Sequence, residues 1–145
     1  MNWIIRPLKQ YAVFTGRSSR AEFWLFLLLA TGLTLLAHYI DGVAGRSMPV
    51  AMGMGIGELS VTLLFLLPTI AVGVRRLHDS ARSGLWMLLG YGPLVLMNLT
   101  TGIDRALILI VVGAQIMGGL AWVVMMLLPG TIGPNRFGAD PRGSR

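Results

Sequence analysis

The 145-residue sequence contains no cysteine. Disulfides, thiolate catalysis and Cys-based metal sites are therefore excluded. Charge is also scarce: 12% of residues are charged against 54% hydrophobic, and the mean hydropathy is +0.71. A water-soluble domain carries about 25% charged residues, so this chain lacks the polar surface to remain in water. Acidic residues are the rarer sign, six against twelve basic, for a net charge of +6. The basic residues come as small clusters beside apolar runs rather than as a long stripe. That pattern argues against nucleic acid and for anionic lipid headgroups. There is no internal repeat and no low-complexity segment. No Ala-x-Ala exit follows the first apolar run, which therefore reads as a retained span and not a cleaved signal. The apolar runs carry no charge at mid-depth, which weakens a proton-relay or ion-coupled transporter.

What charge there is has a pattern. Ten of the twelve basic residues fall in three polar segments: Arg6, Lys9, Arg17 and Arg20, then Arg75, Arg76 and Arg82, then Arg136, Arg142 and Arg145. Only Arg46 and Arg105 lie in the two intervening connections. This is the positive-inside signature of a four-span protein with both termini in the cytoplasm. The expected fold is an all-α membrane protein with transmembrane helices at 23–40, 59–74, 85–99 and 106–128. Trp24 and Tyr39 sit near the ends of the first, and Pro68 is expected to kink the second. Gly90, Gly92 and Pro93 make the third a poor isolated helix. A re-entrant third segment would give three spans and put the C-terminal arginines outside, against the charge bias. Residues 1–15 read as an interfacial amphipathic helix, with Trp3, Ile4, Leu8, Tyr11 and Ala12 on one face and Arg6, Lys9 and Gln10 on the other. The chain is then a single domain, 1–145: a cytoplasmic interfacial segment to residue 22, a membrane bundle over 23–128 and a cytoplasmic tail over 129–145.

Three polar motifs would share the cytoplasmic face. In Phe14-Thr15-Gly16-Arg17-Ser18-Ser19-Arg20-Ala21-Glu22-Phe23-Trp24, Ser18 or Ser19 can cap the first span, with Glu22 completing a capping box if Ser19 is the cap. Arg17 and Arg20 can hold phosphates or simply anchor the chain to the leaflet. In Arg75-Arg76-Leu77-His78-Asp79, Asp79 lies i+4 from Arg75 and i+3 from Arg76, spacings that permit ion pairs on a helix. His78 beside Asp79 invites an acid–base reading, but adjacent helical residues diverge, so an ion-paired helix end is the plainer one. Gly133-Pro134-Asn135-Arg136-Phe137-Gly138-Ala139-Asp140-Pro141 specifies a rigid set of turns. Its Arg and Phe dock either on a partner or on the protein's own inner face.

Together these motifs resemble the three signatures of the DUF805 family of small bacterial inner-membrane proteins. The match rests on Phe14-x-Gly16-Arg17-x-x-Arg20-x-Glu22-x-Trp24, on Arg75-Arg76-Leu77-His78-Asp79 with Ser83-Gly84 and Trp86, and on Asn135-Arg136-Phe137-Gly138-x-Asp140-Pro141. It covers nearly the whole chain. The resemblance implies a multi-pass plasma-membrane protein and no reaction. The stretch from His78 to Asn135 is long enough for two spans.

The remaining polar residues invite simpler readings. His38, Asp41 and Glu58 lie at span edges, where hydration is cheap. Met48, Met52 and Met54 offer thioethers suited to Cu(I), though they read more plainly as apolar filler. Gly53-x-Gly55-x-Gly57 has no preceding strand and is not a dinucleotide fingerprint. Gly113, Gly118 and Gly119 let another helix approach closely, in the bundle or in a homo-oligomer. The expected role is an interaction module: a basic platform of Arg17, Arg20, Glu22, Arg75, Arg76, His78, Asp79, Asn135, Arg136 and Phe137. It would bind anionic lipid headgroups or a membrane protein partner. In this scheme Glu22 and Asp79 fix the arginines, and no catalytic residue, metal or cofactor is assigned. The alternatives are a membrane-embedded enzyme acting on a lipid or isoprenoid phosphate, with His78 as base or nucleophile, and a small transporter or channel subunit.

Overall fold

The computed structural model describes residues 5–46, 54–92 and 105–143. Among these the chain is helical, with α1 at Arg6–Lys9, α2 at Arg20–Val43, α3 at Ile56–Asp79 and α4 at Arg105–Leu127. No strand occurs among the described residues; an isolated bridge joins Asn135 and Gly138. Helices α2, α3 and α4 are long and apolar enough to cross a membrane. At 24, 24 and 23 residues and about 1.5 Å per residue, each exceeds a hydrocarbon core of about 30 Å. The protein is an all-α membrane protein. Of the expected third span, Gly84–Trp86 forms a 3₁₀ turn and residues 87–92 are helical. Its remainder, 93–99, lies outside the described residues, as do Trp3, Ile4, Met48, Met52 and Gly53.

The chain divides into two compact units. The first comprises Met1–Phe14 and Ala21–Val72. It is an antiparallel hairpin of α2 and α3. Phe23, Phe26, Ala30 and Ala37 recur along one face of α2, and Phe65, Pro68, Thr69 and Val72 along one face of α3, and all are buried. The Phe26 and Phe65 rings meet at 5.7 Å. Leu28, Leu35, Leu63 and Leu64 face outward, as lipid-facing positions do.

Three features of this unit depart from the sequence reading. The N-terminal helix is one turn, with Pro7 as its second residue, and ends at the non-helical backbone of Gln10, rather than being an interfacial helix reaching residue 15. Beyond it, the Tyr11 hydroxyl donates to the Leu64 carbonyl at 2.8 Å. That carbonyl would ordinarily accept the N–H four residues on, but residue 68 is proline and has none. Tyr11 thus supplies the bond that Pro68 removes, and α3 runs on through the proline. Asp41 is not a hydrated edge residue. It is 3% exposed, and its Oδ2 accepts the Glu58 backbone N–H in the first turn of α3 at 2.8 Å. A carboxylate there also meets the positive end of the helix dipole. A Cβ on Gly55 would collide with the Asp41 side chain, which gives the Gly55-x-Gly57 spacing its reason. His38 Nδ1 lies 2.9 Å from Glu58 Oε2 on the exposed side of the same end.

Candidate functional site

The second unit comprises Thr15–Arg20 and Gly73–Arg145, and holds the second and third polar motifs and Thr15–Arg20 of the first. Its centre follows from how two helices end. Helix α3 closes with a paired 6→1 and 5→2 turn: Arg82 N–H donates to Leu77 O and Ala81 N–H to His78 O, both at 3.0 Å. Ala81 takes the left-handed conformation, φ 58°, that such a cap requires and that glycine usually fills. This turn stops the helix immediately after Asp79.

The Asp79 carboxylate, 4% exposed, sits between two arginines that are themselves 1% and 0% exposed. Arg17 donates to Oδ1 from Nε at 3.0 Å and from Nη2 at 2.8 Å. Arg76 donates to Oδ2 from Nη1 at 2.6 Å, the expected i+3 pair. Both oxygens are thus consumed. The arginines have donors to spare, and these go to backbone carbonyls. Arg76 Nε reaches Met126 O at 3.1 Å and its Nη2 reaches Leu128 O. Arg20 Nη1 reaches Leu127 O at 3.3 Å. These are carbonyls at the C-terminal end of α4, which lack intrahelical partners. Three cationic donors there also oppose the negative end of the helix dipole.

The chain after α4 is bound in the same way. Arg17 Nη1 donates to Gly133 O and its Nη2 to Thr131 O, both at 2.6 Å. Thr131 returns its N–H to Asp79 O at 2.9 Å. A Cβ on Gly130 would collide with the Asp79 carboxylate, so only glycine lets the tail pass this close. Asn135 donates from Nδ2 to His78 O and to Thr131 Oγ1, each at 2.9 Å, and accepts Phe137 N–H on Oδ1 at 2.9 Å. Asn135 and Gly138 exchange both backbone hydrogen bonds at 3.0 Å, which holds Arg136 and Phe137 at the tip of a tight turn. The Phe137 ring stacks on His78 with centroids 3.9 Å apart and planes 3° off parallel. The Arg136 guanidinium lies 4.7 Å above Phe137 and donates to Ala81 O at 3.2 Å. Asp140 accepts Gly133 N–H at 3.1 Å and Arg142 N–H at 2.9 Å. Side-chain and backbone hydrogen bonds from Arg142 hold the Asp140 carboxyl at about 2, and the same pairing raises Arg142.

Arg17, Arg20, Arg75, Arg76, His78, Asp79, Asn135, Arg136 and Phe137 all belong to this unit. Arg75 is buried, and its carbonyl accepts the Ser18 N–H at 3.0 Å. Glu22 belongs to the first unit, where it is buried and pairs with Arg6 at 3.6 Å; it is the third residue of α2 after Ser19, the expected capping-box register. His78 and Asp79 take separate partners. His78 Nδ1 lies 3.2 Å from Gly16 O. A carbonyl only accepts, so Nδ1 carries the hydrogen and Nε2 is left as the acceptor. The pair therefore shares no proton. No group of three metal-ligating side chains occurs among the described residues. Sequence reasoning missed the parts played by Gly130 and Thr131. The Pro129-Gly130 step reads only as a helix stop, although a glycine after a helix facing an Asp-bearing one is compatible with close approach.

Residues 11–139 match the family described as Protein of unknown function (DUF805). The chain is 35% identical to the inner membrane protein YhaH of Escherichia coli K12 over 142 residues, 98% of each chain. It is 30% identical to the inner membrane protein YhaI of the same strain, over 98% of this chain and 97% of that one. A shorter match, 37% over 78 residues, joins 52% of this chain to 47% of the uncharacterized protein YiiR of Escherichia coli K12. No solved structure matches the chain. With the family matched over most of its length and the residues of all three motifs interlocked, the chain is a membrane protein that belongs to the DUF805 family.

Proposed function

We propose that the protein is a four-span plasma-membrane protein, one integral-membrane domain with both termini in the cytoplasm, whose three motifs fold into a platform for anionic lipid headgroups. The charge bias supports the orientation: ten of twelve basic residues flank the same side of the apolar runs. The observation that carries the binding reading is how the arginines divide. Arg17 and Arg76 are spent internally, on Asp79 and on carbonyls. Arg20 and Arg136 stay exposed, each with a single bond to a carbonyl, and Arg82 is partly exposed with no side-chain hydrogen bond among the described residues. The buried pair is the scaffold, and the outer arginines are the positive surface. This divides the labour within the expected set: Arg20 and Arg136 face the ligand, while Arg17, Arg75, Arg76, Asp79 and Asn135 hold the frame.

A basic residue near an anionic leaflet contributes about 1 kcal/mol. Removing two, as in Arg82→Ala with Arg136→Ala, should weaken preference for phosphatidylglycerol over phosphatidylethanolamine by about 2 kcal/mol, roughly thirty-fold. Native mass spectrometry of lipids retained on the detergent-purified protein measures this directly. The folded state should be unchanged, since neither residue is buried. If the folded double variant retains both lipids as the wild type does, the reading is wrong.

A further inference from the structure

Among the described residues of the second unit, the apolar side chain with the highest fractional exposure is Ile132, 94% exposed. A lone exposed apolar residue is ordinary. The backbone beneath this one is not. Thr131 N–H is held by Asp79 O at 2.9 Å. Thr131 O is held by Arg17 at 2.6 Å and by Arg142 at 3.1 Å. Gly133 N–H is held by Asp140 at 3.1 Å and Gly133 O by Arg17 at 2.6 Å. Every backbone polar group on both neighbours of Ile132 is therefore bonded, and most of these bonds come from ionised side chains. The buried centre of the unit fixes a loop whose outermost point is a branched apolar side chain.

Its position suggests what it meets. Ile132 lies five residues beyond Leu127, where the membrane-crossing helix α4 ends. The chain between them passes Arg20, on Leu127 O, and Arg142, on Gly130 O and Thr131 O. An apolar tip flanked by arginines at the end of a span has the chemistry of the headgroup–acyl boundary, with the tip in the acyl region and the cations among the phosphates. We propose that Ile132 is a membrane-dipping finger that seats the chain segment after α4 on the adjacent leaflet. The proposal deepens the headgroup reading, and rests on it only in taking this face of the unit to lie against lipid.

Because the chain has no cysteine, one introduced thiol carries a unique probe, whereas four native tryptophans would obscure an added indole. Ile132→Cys and the control Ala139→Cys, another exposed tail position, are each labelled with an environment-sensitive fluorophore. Both are reconstituted into phosphatidylcholine vesicles with and without phosphatidylglycerol. The expected result at position 132 is blue-shifted emission that is lost when the acyl chains are brominated. The label at 139 should emit as in water and stay unquenched. Aqueous, unquenched emission at 132 overturns the finger. Blue-shifted emission that brominated chains do not quench also overturns it, because the residue is then covered by protein, such as a second copy of the chain. Quenching at 132 that is equal with and without phosphatidylglycerol, while Arg82→Ala with Arg136→Ala leaves lipid retention unchanged, upholds the finger and sinks the headgroup reading alone.

Discussion

Asp79→Asn tests the centre of the second unit. The substitution keeps the shape and one carbonyl oxygen, but the charge goes. Arg17 bonds one carboxylate oxygen and Arg76 the other. Whichever way the amide turns, one guanidinium faces its NH₂ group and meets donor with donor. Both arginines also become buried cations without this counter-charge, at 1% and 0% exposure. Hydrogen bonds to charged groups contribute about 1.5–3 kcal/mol each, and breaking a buried pair by removing one partner costs about 3–5 kcal/mol. The latter is the expected loss, since the arginines keep their carbonyl partners at Met126, Leu128, Thr131 and Gly133. Unfolding of the purified protein in detergent, followed by tryptophan fluorescence, measures it. Arg136→Ala should stay within about 0.5 kcal/mol of wild type, as exposed positions do. Adding Arg17→Met to Asp79→Asn should cost less than the sum of the two single losses, because each change alone strands a charge that the pair removes together. A loss under about 1 kcal/mol, or a double variant worse than the sum of its parts, refutes the account of a charge-paired centre.

Two further outcomes follow from backbone bonding. Tyr11→Phe should cost about 1–3 kcal/mol by leaving Leu64 O unsatisfied, but little when Pro68→Ala is also present and restores the intrahelical donor; an equal cost in both backgrounds, measured by the same unfolding assay, removes Tyr11 from that role. Ala81→Gly should stabilise by about 0.5–1 kcal/mol, the left-handed strain relieved less the extra entropy of glycine, and a destabilised variant would mean that the α3 cap is not strained.

Much of the site was legible because it depends on covalent spacing. The i+3 pair of Arg76 and Asp79 needs only a helix, and the Asn135 to Gly138 turn needs only its own four residues. The three long helices likewise follow from apolar runs with polar ends. What sequence could not reveal is the destination of long-range donors. Arg17 and Arg20 look alike as flanking cations, yet one is buried on Asp79 and the other exposed on Leu127 O. Their targets are largely backbone carbonyls, which carry no residue signature. Asp41 was misjudged for the same reason, since its partner is a main-chain N–H. The apolar period over residues 1–15 suggested a helix, but periodicity does not report that Tyr11 is engaged across the fold with Leu64.

The arginine clamp on the end of α4 also sets an order of events during biosynthesis. Arg17 is bonded to Gly133, 116 residues later in the chain. When Arg17 leaves the ribosome, neither Asp79 nor those carbonyls yet exist. Asp79 arrives later and can pair with both Arg17 and Arg76, but α4 and the carbonyls after it follow only after that. The second unit therefore cannot close until residue 133 has been made. A chain released before residue 131 would keep its early membrane helices and lack the two carbonyls, Thr131 O and Gly133 O, that complete the Arg17 site.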